Sequence, residues 1–288
     1  MCRGSGSPAI ALFVFGSYLI SWPIWIFGRH FHNTLHTEIA GLTLDVPVQG
    51  IFALLGNVGP GLSATLVIGL IEGWAGARDL WSSLRVRRLN WPWVVFVCLL
   101  MPFLCSIALF AYWLLGGQVA ATGNPARWLL LIAVNLPFAP LWEEIGWRGF
   151  LLPRLEARHN GLTASALVAA AWAPWHLAIY WNSSLEFLLR FLVLVFALAF
   201  IFTWVYNCSE GSLIPVVLLH VMANTTNLYL LWPTMRLFGM RPFSLFVGSV
   251  FCTALLIGFL AGPGLGKKSL LEPPAPFVSE RRPPAIER

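Results

Sequence analysis

Apolar runs of about 20 residues recur eight times in this 288-residue chain, over 8–28, 48–71, 92–115, 128–147, 162–181, 187–207, 212–232 and 242–262. Each is long enough to cross a hydrocarbon core of about 30 Å, where every backbone polar group has to be paired inside the segment. They predict an all-α fold, a polytopic membrane helix bundle of about eight transmembrane helices. The composition excludes an ordinary soluble domain: 58% of residues are hydrophobic, 10% are charged and the mean hydropathy is +0.75, against about 25% charged in soluble proteins. The 15 Trp and 20 Pro suit the same class, since indoles gather at membrane interfaces and spans tolerate proline.

The formal charge of +6 lies in short loops and a tail between apolar runs, which argues for membrane orientation and against nucleic acid. With the N-terminus inside, Arg3, Arg78, Arg85, Arg87, Arg88, Arg148, Arg154, Arg158, Lys267, Lys268, Arg281, Arg282 and Arg288 fall on inner segments. Arg29, Arg127, Arg190, Arg236 and Arg241 fall outside, so 13 of the 18 basic residues are inner. The positive-inside rule then puts both termini in the cytoplasm. The expectation is a multi-pass protein of a bacterial plasma membrane. The stretch Glu72 to Trp93, with its arginines and Trp74, Leu80, Trp81 and Leu84, reads as a helix lying on the inner headgroup surface. The bundle extends over 1–263, its polar motifs lying between 128 and 232. The basic, Pro-rich stretch 264–288 reads as a disordered cytoplasmic tail. Cys2, Cys98, Cys105, Cys208 and Cys252 form no C-x-x-C pair and read as small apolar fillers. His30, His32 and His36 have a spacing that suits a metal, although a solvated loop carries such residues more often.

Polar residues inside these runs are costly, about 2.5–3.5 kcal/mol for each ionised side chain near the middle of a span, and so mark function by default. The fourth run contains Glu143-Glu144-x-x-x-Arg148. Glu144 and Arg148 share a helix face and can pair, while Glu143 points about 100° away towards the bundle interior. The bland alternative is an interfacial ion pair with Arg148 snorkelling to headgroups. The fifth run holds Trp172-Ala173-Pro174-Trp175-His176, with Trp172 as an aromatic wall, and the seventh holds His220 and Asn224 on one face. Pro140, Pro174 and Pro215 each precede a polar cluster, suggesting three bent helices around one pocket. On the drawn boundaries Glu143 lies near the inner end of its span, whereas His176 lies deeper.

A carboxylate, two imidazoles and a carboxamide support two hydrolytic chemistries. In one, Glu143, His176 and His220 hold a divalent metal such as Zn2+ that activates water. In the other, Glu143 assisted by His176 is the general base, and His220 with Asn224 donates to the oxyanion. The spacing does not choose between them.

The three ordered motifs resemble those of the CPBP family of intramembrane proteases, also described as CAAX-processing, bacteriocin-processing or ABI proteins, which includes the Rce1-type prenyl endopeptidases. The resemblance covers about 128–232. It implies that Glu143 and His176 activate water, that Glu144 and Arg148 hold that environment, and that His220 and Asn224 stabilise the oxyanion. Trp172 departs from the family's usual Phe, which bears on substrate shape more than on chemistry. The expectation is an endopeptidase acting on a membrane-associated peptide, prenylated or bacteriocin-like, with its site opening to the inner face. The alternative from another class is a non-catalytic regulatory or immunity protein that binds another membrane protein. A proton-coupled transporter lacks the internal repeats such folds carry.

Overall fold

The computed structural model describes residues 6–39, 42–85 and 91–267. Most of the 264–288 tail therefore lies outside the described residues, as do Arg3, Arg87, Arg88 and Lys268. The chain is a helical bundle. Its helices are α1 (Gly6–Gly28), α2 (Val48–Gly56), α3 (Gly59–Ser82), α4 (Trp91–Leu114), α5 (Pro125–Phe138), α6 (Pro140–Glu144), α7 (Leu152–Glu156), α8 (Gly161–Trp175), α9 (Leu185–Cys208), α10 (Ile214–Thr226), α11 (Trp232–Phe238) and α12 (Arg241–Ala261). An antiparallel hairpin, β1 (Thr34–Ile39) with β2 (Leu42–Pro47), projects between α1 and α2 and was not foreseen from the sequence.

Among the described residues seven helical stretches are long and apolar enough to span a membrane. The missing eighth is α8, which has 15 residues and passes into a 3-10 turn at His176–Ala178. It nevertheless runs the depth of α1. Arg158 bonds Ser7, Tyr18 donates to the Ala171 carbonyl at 2.8 Å, Trp22 to that of Trp175 at 2.9 Å, and Arg29 to that of Ala178. The two helices are therefore parallel and in step, and the turn after Trp175 completes the crossing.

The same bonds sort the loops into two ends. Ser7 lies at one end with the start of α8, and Leu162 there donates to the Pro263 carbonyl. Lys267 meets Glu156, and Leu213 donates to the Ser83 carbonyl. We call this the terminal end. Arg29, the hairpin, the start of α9 and the end of α11 lie at the opposite, distal end, where Ala120 donates to Thr234 and Arg190 to Ser244.

Local irregularities have chemical causes. Gly73 has a φ of 69° that a side chain would strain, and it kinks α3. Beyond the kink Trp81 returns to bond Thr65 of the first half, so this basic segment turns away from the axis of the span. Two π-helical turns, Ile145–Leu151 and Asn227–Leu231, each end two residues before a proline, Pro153 and Pro233. A proline ring crowds the carbonyl four residues back and offers no N–H to it, which favours the wider turn. Pro215 bends nothing, contrary to expectation. It lies in the first turn of α10, where its missing N–H costs no bond.

Candidate active site

The fourth span is longer than its apolar run suggested. It extends over Pro125–Glu156 as α5, a break at Ala139, α6, the first π turn and α7. Glu143 consequently sits in mid-bundle rather than near an inner end, which removes the mismatch with His176. Close backbone packing fixes its height. A Cβ on Gly61 would lie 2.7 Å from the Trp142 carbonyl oxygen, and one on Gly146 would lie 2.6 Å from the Pro60 Cβ. Only glycine lets α3 press against the acidic turn in this way.

Arg148 does not snorkel. It is wholly buried, as is Glu144, and Glu143 is 3% exposed. Arg148 Nη1 lies 3.1 Å from Glu144 Oε1, as expected from their spacing. Its guanidinium carbon also lies 4.3 Å from the centre of the Trp172 ring and 4.9 Å from that of Phe202. These aromatic faces cover a cation whose Nε and Nη2 have no hydrogen-bond partner among the described residues.

Two bonds were missed from the sequence. His220 Nδ1 lies 2.7 Å from the same Glu144 oxygen, so Glu144 orients the imidazole as well as the guanidinium. Trp172 Nε1 donates to Glu143 Oε2 at 2.9 Å. Trp172 is therefore a hydrogen-bond donor to the candidate base and not only a wall; phenylalanine could not make that bond. The Trp at this position thus touches the candidate base as well as lining the cavity.

Tautomers follow from the partners. His176 Nδ1 lies 3.0 Å from the Trp172 carbonyl, which can only accept, so Nδ1 carries the proton and Nε2 is left as an acceptor. Glu144 Oε1 accepts from the Arg148 guanidinium and shares a hydrogen bond with His220 Nδ1, which leaves Nε2 of His220 towards the cavity.

Glu143, His176, His220 and Asn224 all line one cavity of about 330 Å³, with Trp172 and Tyr180 beside them. Its remaining walls include Phe187 and Phe191 from α9, Trp232 and Met235 from α11, and Phe243 from α12. These residues belong to the distal halves of their helices. The acidic turn is the floor of the cavity, and its other lining residues lie towards the distal end.

Among the described residues no three His, Cys, Asp or Glu side chains converge as a metal-binding group. This holds for Glu143, His176 and His220 as they stand, and for His30, His32 and His36.

Residues 125–226 match the family model described as Type II CAAX prenyl endopeptidase Rce1-like. Over that segment the chain resembles the Rce1-like members of the CPBP family. The chain is also similar to a CAAX prenyl protease 2 from Methanococcus maripaludis, 21% identical over 235 residues, covering 74% of this chain and 82% of that protein. The matched segment starts with α5 and closes with α10, so it holds every polar group at the cavity floor. The bundle is that of an integral multi-pass membrane protein.

Proposed function

We propose that this protein is a membrane-embedded, glutamate-dependent endopeptidase that hydrolyses a peptide bond of a membrane-associated substrate. The name of the archaeal relative makes prenylated chains the first substrates to try. The observation that carries the reading is a buried carboxylate, Glu143, held by one indole N–H at the floor of a cavity shared with His176, His220 and Asn224.

In this mechanism Glu143 takes a proton from water, and the bare Nε2 of His176 accepts the water's second O–H and so orients it. The water oxygen bonds the scissile carbonyl carbon. The negative charge that develops on the carbonyl oxygen is met by Nε2–H of His220 and the carboxamide N–H of Asn224. Glu143 then passes its proton to the leaving nitrogen, and the C–N bond breaks to give an acid and an amine. Glu144 and Arg148 touch neither substrate nor water; they fix the orientation of His220. Burial within an apolar bundle strengthens each of these electrostatic contacts.

The test is cleavage of a quenched fluorescent, farnesylated peptide by purified protein in proteoliposomes. Glu143→Gln keeps the shape and removes the base, so cleavage should fall by about 10²–10⁴-fold in a protein of unchanged melting temperature. Equal cleavage by both proteins would sink the assignment.

A further inference from the structure

Beside the catalytic groups, the cavity is lined by three carboxamides the mechanism does not use: Asn57, Asn135 and Asn227. Each sits where a helix is interrupted. Asn57 caps α2 at the break before α3, Asn135 lies one turn before the break at Ala139, and Asn227 opens the second π turn. Irregular backbone at membrane depth is tolerated where it lines a polar cavity, so three such interruptions converging on one cavity need a ligand-side reason. Among the described residues the Asn57 and Asn227 side chains have no hydrogen-bond partner. Asn135 spends one N–H on the Leu131 carbonyl at 2.9 Å, leaving its second N–H and its oxygen.

Their heights form a ladder above the floor. Asn57 precedes Gly61, which packs on Trp142, and so stands about 6 Å towards the distal end at 1.5 Å per residue. Asn227 stands about 10 Å beyond His220 and Asn135 about 12 Å beyond Glu143 on the same rise. An extended peptide advances about 3.3 Å per residue, so the three carboxamides meet it roughly two to four residues from the scissile bond.

The remaining walls are largely apolar, Phe187, Phe191, Leu194 and Phe246 among them, and these repay none of the hydration that a substrate backbone gives up on entering. An unpaired amide in such surroundings is costly. A carboxamide offers one donor and one acceptor without a buried charge, which matches a peptide group of any sequence. We propose that Asn57, Asn135 and Asn227 form a backbone clamp, a set of subsites that hydrogen-bond the main chain of an extended peptide on the distal side of the scissile bond. The clamp rests on the hydrolase reading above, and it makes substrate recognition here partly independent of side chains.

The test uses the full-length protein in nanodiscs with two quenched fluorescent probes, a farnesylated hexapeptide and a palmitoyl-anchored one. Each is also made with single ester replacements of the backbone amides two to four residues from the cleaved bond. Asn57→Leu and Asn135→Leu should raise KM by roughly 3- to 10-fold at unchanged kcat. An ester that weakens the wild type should cost these variants nothing further. Asn57→Leu is the cleaner arm, since Asn135 also bonds its own helix; melting temperatures and binding of the probes to Glu143→Gln protein control for folding and chemistry. Unchanged KM in both variants, equal ester penalties in wild type and variants, or a wild type that neither binds nor cleaves either probe overturns the clamp. Full activity in Glu143→Gln protein would instead reject the hydrolase reading, whatever the asparagine variants do.

Discussion

Trp172→Phe isolates a single bond at the candidate base. The exchange removes Nε1–H, which lies 2.9 Å from Glu143 Oε2, and keeps a ring to pack against Phe202, His176 and His220, whose centres lie 5.6–5.9 Å away. A hydrogen bond to a charged group contributes about 1.5–3 kcal/mol. If that bond holds the carboxylate in its productive rotamer, its loss converts to roughly 10- to 150-fold in kcat at 1.36 kcal/mol per decade. Stability should change less, because Glu143 lines the cavity and water there can replace the indole. KM should stay within about twofold, since the phenyl ring keeps most of the wall that Trp172 gives the cavity. The assay is a steady-state titration of a quenched peptide in proteoliposomes, with melting followed by tryptophan fluorescence. An unchanged kcat in Trp172→Phe protein would show that the indole does not position Glu143, and a fall confined to KM would make Trp172 a wall of the binding cavity after all.

Other perturbations separate the groups around that bond. Glu144→Gln and Arg148→Met each leave a buried partner charge uncompensated, so each should cost about 3–5 kcal/mol of stability along with activity; the double variant should melt above the sum of the two losses, whereas strictly additive melting shifts would mean that the pair is not coupled. Gly146→Ala drives a methyl group to 2.6–2.8 Å from Pro60, and about 1–3 kcal/mol of overpacking should appear as lower melting temperature and activity, absent from Gly50→Ala, whose Cβ meets nothing. Dialysis against a chelator should leave cleavage within about twofold of the starting rate under the metal-free mechanism, and recovery of a lost activity by Zn2+ alone would replace that mechanism. In a background lacking the native cysteines, Tyr180→Cys should react with an impermeant maleimide from the side opposite to Ser7→Cys, because the cavity extends away from the chain ends; labelling of both from one side contradicts that geometry.

The apolar runs made the bundle legible, since a segment of about 20 residues has few other solutions in lipid. The three motifs made the cavity floor legible because i,i+4 spacing is a statement about one helix face, and Glu144 with Arg148 meets as that rule requires. The convergence of three helices on one cavity was also legible, but the individual bonds between those helices were not. Glu144 to His220 and Trp172 to Glu143 join different helices, at separations of 76 and 29 residues, and no periodicity within one helix encodes them. The depth of Glu143 was misjudged for a local reason. The span continues past Arg148 because that arginine is buried under two rings, so a charge that reads as a boundary is an interior residue. The π turns did leave a signal, Pro153 and Pro233, that was available and unused. The hairpin and the direction of the cavity depended on packing alone.

Adjacent glutamates at mid-bundle look redundant until the two sides of their helix are followed outward. The step of about 100° between them sends Glu143 to the cavity and Glu144 into the wall behind it. The two are then rejoined through other helices, because Arg148 bonds Glu144 and stacks on Trp172, which donates to Glu143. His220 closes the set by bonding Glu144 while lining the cavity. Glu144 thus holds the guanidinium and the imidazole at once from behind the cavity. A buried charge left without its partner is costly, so removal of Glu144 should turn His220 from its place in the cavity wall as well as weaken the fold.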